Sequence, residues 1–199
     1  MTEPEDRFYT RERWQNWLTR VEQEEIDPDN EDSARLLLNL QDDAAIAVAK
    51  ILSAYEDDEL TEDETVAELE RVRDIVLDDP DVEGLDEEKL MLVDGVQTSL
   101  ACVFYAAEEY VVAGPAEAED DASVEDYVHA ASRAEAEEDL DAALGYLVQA
   151  GTRIIDGEEL DMTVAEDLEY GLVSEWVNGL DSLQSAMSDP EVIEDDDEN

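Results

Sequence analysis

Apolar residues recur at steps of three and four from Ser33 to Tyr55, where Leu37, Leu40, Ala44, Val48, Ile51 and Tyr55 define one face of a helix. Leu38, Ala45, Ala49 and Leu52 widen that face, and fifteen of the 23 residues are Ala, Leu, Ile, Val or Tyr. The polar side shrinks to Arg35, Asn39, Asp42, Asp43, Lys50 and Ser53. A helix apolar over most of its circumference must be covered by several neighbours, so this stretch is expected at the centre of a bundle.

The same spacing predicts the other elements. Thr10–Glu25 reads as a first helix with Trp14, Trp17, Leu18 and Val21 on one face and Phe8 able to fold back as a hydrophobic staple. Pro28 stops it. Thr61 and Glu64 form a capping box that opens a helix carrying Val66, Leu69, Val72, Ile75 and Val76. Asp86 opens a second core helix that runs to about Ala113, with Gly114-Pro115 ending it. Ser123 and Asp126 start a helix over Val124–Glu137, and Leu140–Ile155 follows, closed by Gly157. Thr163 and Glu166 are read as another capping box, starting one helix with the stripe Val164, Leu168, Leu172, Trp176, Leu180, Leu183 and Met187.

No segment alternates with a period of two, so the expected class is all-α, a bundle of about seven helices. An N-terminal region 7–114 and a C-terminal region 123–188 packed on it are expected, or one domain over 7–188, with Ala116–Ala122 as the mobile boundary. Residues 189–199 read as a disordered acidic tail. Glu138–Arg153 resembles the second helix of a tetratricopeptide unit, but no second copy follows at a period of about 34 residues. An ordinary helical hairpin accounts for it.

Charge changes the picture. The chain carries 60 Asp and Glu against 11 Lys and Arg, a net charge of −49, yet 43% of its 199 residues are hydrophobic, which argues against disorder. Lysine is nearly absent; nine of the cations are arginine. This acid-rich, lysine-poor pattern resembles proteins of salt-accumulating halophilic archaea. At molar salt the Debye length falls to roughly 3 Å, so an acidic surface stops repelling itself while it maintains solubility. The charge therefore does not by itself identify a basic partner or a nucleic-acid mimic. One cysteine, Cys102, excludes an internal disulfide and suits a reducing cytosol. MTEPEDRF has neither a basic n-region nor an apolar h-region, so no export signal is expected. The uncharged run Gly95–Ala107 is shorter than the about 20 residues a bilayer requires. A cytoplasmic protein without a membrane partner is expected.

Candidate chemistry is sparse. His129, with Glu125 and Asp126 a turn earlier, is half of a di-metal bundle motif that needs further Glu-x-x-His and Glu units. Asp79–Gly84 imitates the first half of a calcium loop, but the twelfth position is Leu90 where a bidentate Glu belongs. Cys102 sits in an apolar helix and reads as a small hydrophobe. No glycine-rich phosphate loop, nucleophile elbow or Cys-x-x-Cys is present, Glu108-Glu109 beside Tyr105 and Tyr110 is uninformative in so acidic a chain, and neither a cofactor nor a catalytic residue is assigned.

The segment Arg7–Val21 departs from this background. It holds Arg7, Arg11, Arg13 and Arg20 against one acid, for a local charge of +3, together with two of the three tryptophans. Arginine with aromatics is the composition of interface hot spots and of RNA-stacking surfaces. The expected function is a non-enzymatic adaptor that docks an anionic partner surface through Arg7, Arg11, Arg13 and Arg20, with Phe8 and Tyr9 as anchors while Trp14 and Trp17 turn inward. An RNA- or ribosome-associated factor using the same patch is the first alternative. A metal-dependent helical-bundle enzyme built on Glu125 and His129 is the second. The partner is otherwise unspecified, and the stripe of the last helix serves a homo-oligomer seam as well as a core.

RFYTRERWQNWLTRVEQEE followed by SARLLLNLQDDAAIAVAKIL resembles an archaeal, mainly haloarchaeal, family known as domain of unknown function 2150, over roughly residues 7–110. The resemblance implies a cytosolic archaeal protein and brings no activity or site residue with it.

Lowering KCl from molar to millimolar is expected to loosen or unfold the chain through self-repulsion. Circular dichroism checks this: a helical signal that does not change over that range refutes it.

Overall fold

The computed structural model describes residues 8–25, 31–80, 84–117 and 122–188. Arg7, the break around Pro28, Asp81–Glu83 of the calcium-like loop, most of the acidic stretch after Glu117 and the tail 189–199 lie outside the described residues. The fold is all-α, as the spacing predicts, with no strand among the described residues. Among the described residues seven α-helices follow in order: α1 (Arg11–Gln23), α2 (Glu31–Glu56), α3 (Glu62–Val76), α4 (Glu87–Ala113), α5 (Val124–Ala136), α6 (Leu140–Ile155) and α7 (Leu172–Ser188), with a short 3₁₀ helix at Met162–Asp167.

The helix starts obey local chemistry. Thr10, Asp86 and Asp139 each accept a backbone N–H with their side chains, and Thr61/Glu64 and Ser123/Asp126 form the two reciprocal capping boxes. Asp58 and Glu138, in the turns after α2 and α5, adopt the left-handed conformation, with φ of 58° and 61°. Thr163 does not behave as expected. Asp161 caps the turn by accepting the Thr163 N–H at 2.9 Å, and the predicted single helix divides into the 3₁₀ helix and a separate α7. The division has a tertiary cause. Glu135 of α5 accepts the Val173 N–H at 3.3 Å and occupies the space where a side chain on Gly171 would stand, so α7 is capped from another helix.

The centre of the bundle is shared. α2 packs against α1, α3, α4 and α7, whereas α4 packs against α2, α3, α6 and α7 and so joins both halves of the chain. One buried cluster runs from Tyr9 to Leu183 through all seven helices. By length and apolarity alone α4 could cross a bilayer; in this fold half of its apolar window is buried against other helices. Two close approaches make that packing tight. A Cβ on Gly179 of α7 would lie 2.1 Å from the Ser99 carbonyl oxygen of α4, and one on Gly151 of α6 would lie 2.5 Å from Ala106 Cβ.

Polar side chains complete the seams. Gln41 Nε2 of α2 donates to Ser182 Oγ at 2.9 Å and to the Asn178 carbonyl at 3.2 Å on α7. Gln184 of α7 accepts the Leu160 N–H and donates to the Leu160 carbonyl, at 2.6 and 3.1 Å. Arg153 of α6 is buried, donates to the Ala122 carbonyl and to Glu158, and lies 5.6 Å from the Tyr127 ring centre.

Gly179→Ala should lower stability by about 1–3 kcal/mol through overpacking against the α4 backbone. Gly145→Ala, with nothing within 4 Å of the added carbon, should raise it by up to about 1 kcal/mol. Thermal melts of both variants check the pair; equal melting temperatures would show that α7 does not approach α4 so closely.

Candidate functional site

The arginine- and tryptophan-bearing α1 lies on α2 and α3, with Tyr9, Trp14, Leu18 and Val21 buried in the core. Its attachment centres on Asp43 of α2, which was expected on the polar side and is instead 2% exposed. Arg13 grips that carboxylate with both ends of its guanidinium: Nε stands 3.1 and 2.9 Å from the two oxygens, and Nη2 stands 2.5 Å from Oδ1. The Trp17 indole N–H donates to Oδ2 at 2.8 Å. A buried carboxylate is tolerated because bidentate and charge-assisted bonds replace its water. Arg13 also lies 5.9 Å from the Tyr9 ring centre. Burial first, and then the Asp43 charge, push the Tyr9 phenol up, and its hydroxyl is buried without a hydrogen bond.

This geometry reassigns the expected binding residues. Trp14 turns inward as anticipated, while Trp17 is half-buried with its N–H fixed. Tyr9 is a core residue and does not serve as a surface anchor; Phe8 packs half-buried against the same core. The reason is local: Phe8 and Tyr9, immediately before the Thr10 N-cap, both pack onto the core cluster. Arg13 belongs to the internal clamp. Arg11 is exposed and pairs with Asp78 of the α3 end at 3.1 Å, each side chain 57% exposed. Arg20 is exposed, with its guanidinium 4.6 Å from the Trp17 ring centre and no ion pair among the described residues. Arg7 lies outside the described residues.

Between α1, α3 and α4 opens a cleft of about 450 Å³ lined by Arg11, Arg73, Asp74, Leu77, Asp78 and Tyr105. Arg73 donates to Glu108 of α4 behind it, whose carboxyl is raised chiefly by burial. Sequence reasoning missed this cleft, because nothing in the spacing of Arg73 and Tyr105 links two different helices. It also missed Asp43, for which a signal was present: Leu36, Leu40, Asp43 and Ala47 share the three-four spacing of a buried stripe.

The other candidates are engaged elsewhere. Glu125 accepts the Asp161 N–H at 3.0 Å, and His129 is exposed. Among the described residues no three His, Cys, Asp or Glu side chains converge as metal ligands. Cys102 is fully buried, and burial pushes its thiol up.

Arg13→Met leaves Asp43 buried without its cation and should cost about 3 kcal/mol, or roughly 10 °C in Tm. Arg11→Met removes an exposed pair and should cost less than about 1 kcal/mol. Calorimetry of both proteins checks the contrast, and equal losses would show that the Asp43 clamp does not hold α1.

No curated protein and no solved structure matches the chain. The likeness noted over the first helices does extend into the C-terminal part: residues 7–196 match the family described as "uncharacterized protein conserved in archaea", and the chain belongs to that family, domain of unknown function 2150.

Proposed function

We propose that this chain is a non-enzymatic adaptor of a halophilic archaeal cytoplasm that docks an anionic partner through the outward face of α1. One observation carries the reading. In a chain with 60 acidic residues, Arg20 has no ion pair among the described residues and lies instead over the Trp17 ring at 4.6 Å. The indole is itself held by Asp43, so the stacked pair is pre-ordered. An ordered arginine–aromatic pair loses little conformational freedom on binding, a property shared by interface hot spots. Arg11 lies one end of the helix away, in a surface pair with Asp78 that exchanges readily because exposed bridges contribute little. Arg13 is excluded from the docking set, since it holds Asp43.

RNA is the second reading, because a cation stacked on an indole is also how proteins receive unstacked bases. Affinity capture from haloarchaeal lysate at molar KCl distinguishes the readings when wild type is compared with Arg11→Glu/Arg20→Glu, with and without nuclease. A defined protein partner lost at least about tenfold in the variant, with helicity unchanged, is the expected outcome. Loss on nuclease treatment transfers the site to RNA, and equal capture by the variant refutes docking through α1.

A further inference from the structure

Along α4, Met91, Thr98, Tyr105 and Val112 are spaced by seven residues and so form one narrow strip, because a straight helix drifts only about 20° per heptad. The strip is open. Met91 is 75% exposed, Val112 62% and Tyr105 42%, and space is empty above Gly95 between the first two positions. Eight large hydrophobic side chains are exposed among the described residues, and four of them, Leu90, Met91, Tyr105 and Val112, belong to α4. The remaining circumference of this helix is taken. Gln97 and Glu108 face α3, where they meet the Val76 carbonyl and Arg73; Ala106 faces α6, and Ser99 with Val103 faces α7.

The borders of the strip have one sign. The charged side chains of α4 are Glu87, Glu88, Asp94, Glu108, Glu109 and a single cation, Lys89, which turns away to donate to the Glu22 carbonyl at 2.5 Å. Tyr105 also forms part of the cleft at the α3 end. There Arg11 and Arg73 are both held by carboxylates, whereas Asp74 projects with its side chain 76% exposed and only a 3.9 Å approach from Arg73. An apolar seam bordered by the exposed acids Asp94 and Glu109 is complementary to a helix with an apolar face and basic borders. A second copy of this chain would instead bring acid against acid.

We propose that the α4 strip is a docking face for an amphipathic helix of a partner protein, whose apolar face covers Met91, Thr98, Tyr105 and Val112 and whose Lys or Arg side chains border Asp94 and Glu109. This surface is separate from the Arg20–Trp17 pair and prefers the opposite charge, so it stands or falls independently of docking through α1.

The test uses the full chain and two fluorescent synthetic amphipathic helices with the same leucine face, one with lysine borders and one with glutamate borders, followed by anisotropy across a KCl series up to molar concentration. The lysine-bordered helix should bind, and at the lowest KCl at which the chain keeps its helical signal the glutamate-bordered one should bind at least about tenfold more weakly, a gap that narrows toward molar KCl. Met91→Glu/Tyr105→Glu makes the chain still more acidic, so attraction by net charge alone would tighten binding. The docking face requires that the variant lose about tenfold or more, with its helical circular dichroism unchanged. Unchanged or tighter binding by the variant overturns the proposal, as does equal binding of the two helices at that lowest KCl. No binding to wild type also overturns it, and in that case a dimer by sedimentation that dissociates in the variant would make a second copy the occupant of the strip.

Discussion

The bundle depends on how closely its neighbours approach α4. Four helices pack on it, and two of them arrive over glycine: α7 at Gly179 against the Ser99 carbonyl, α6 at Gly151 against Ala106. Protein interiors are close-packed, so a difference of one methyl group at such a crossing changes how every other seam fits. The apolarity of α4 follows from this position. It is hydrophobic on nearly all sides because it is approached from nearly all sides, and the strip where no helix of the described chain approaches remains apolar as well.

Attachment of α1 follows different physics. Its buried face supplies Trp14, Leu18 and Val21, and its register is set by a carboxylate 1% exposed at the side chain, bound by Arg13 and Trp17. Such a group holds its register strongly because any displacement leaves a charge without water or partner. It also shapes the outer surface. By fixing the indole of Trp17, Asp43 presents the ring to Arg20 in one orientation, so a buried acid orders an exposed cation through an aromatic side chain.

The class and most boundaries were legible in the sequence because they rest on local chemistry. Thr61/Glu64, Ser123/Asp126 and Asp86 each encode a helix start within four residues, and the three-four spacing of α4 encodes its buried face. The failures share one cause, dependence on a neighbour that sequence spacing does not reveal. Thr163 carried a sound local signal for a helix, but Glu135 from α5 captured the N-terminus of α7 nine residues later. Leu38 matched the apolar stripe of α2 and is 54% exposed, whereas Asp43 broke that stripe and is buried. Tyr9, expected outside as an anchor, is 2% exposed, its ring packed in the core beside Arg13. In the candidate site, sequence located the helix and its composition; only the fold separated Arg13, which clamps, from Arg20, which stands free of any ion pair among the described residues.

The net charge of −49 sets which of these surface features retain force. In the concentrated salt proposed for this chain, the Debye length of roughly 3 Å removes long-range attraction and repulsion and leaves interactions made at contact distance. A bare acidic surface then distinguishes few partners. An apolar strip of seven-residue period acts by excluding water, which salt does not screen, and a guanidinium stacked at 4.6 Å on an ordered indole keeps its packing contact while salt weakens its electrostatic part. Short-range complementarity therefore has to supply the selectivity that electrostatic steering provides at low ionic strength. In a chain whose surface is otherwise acidic, the two docking surfaces proposed above both lie where aromatic, aliphatic and arginine side chains stand open, and both draw on that short-range complementarity.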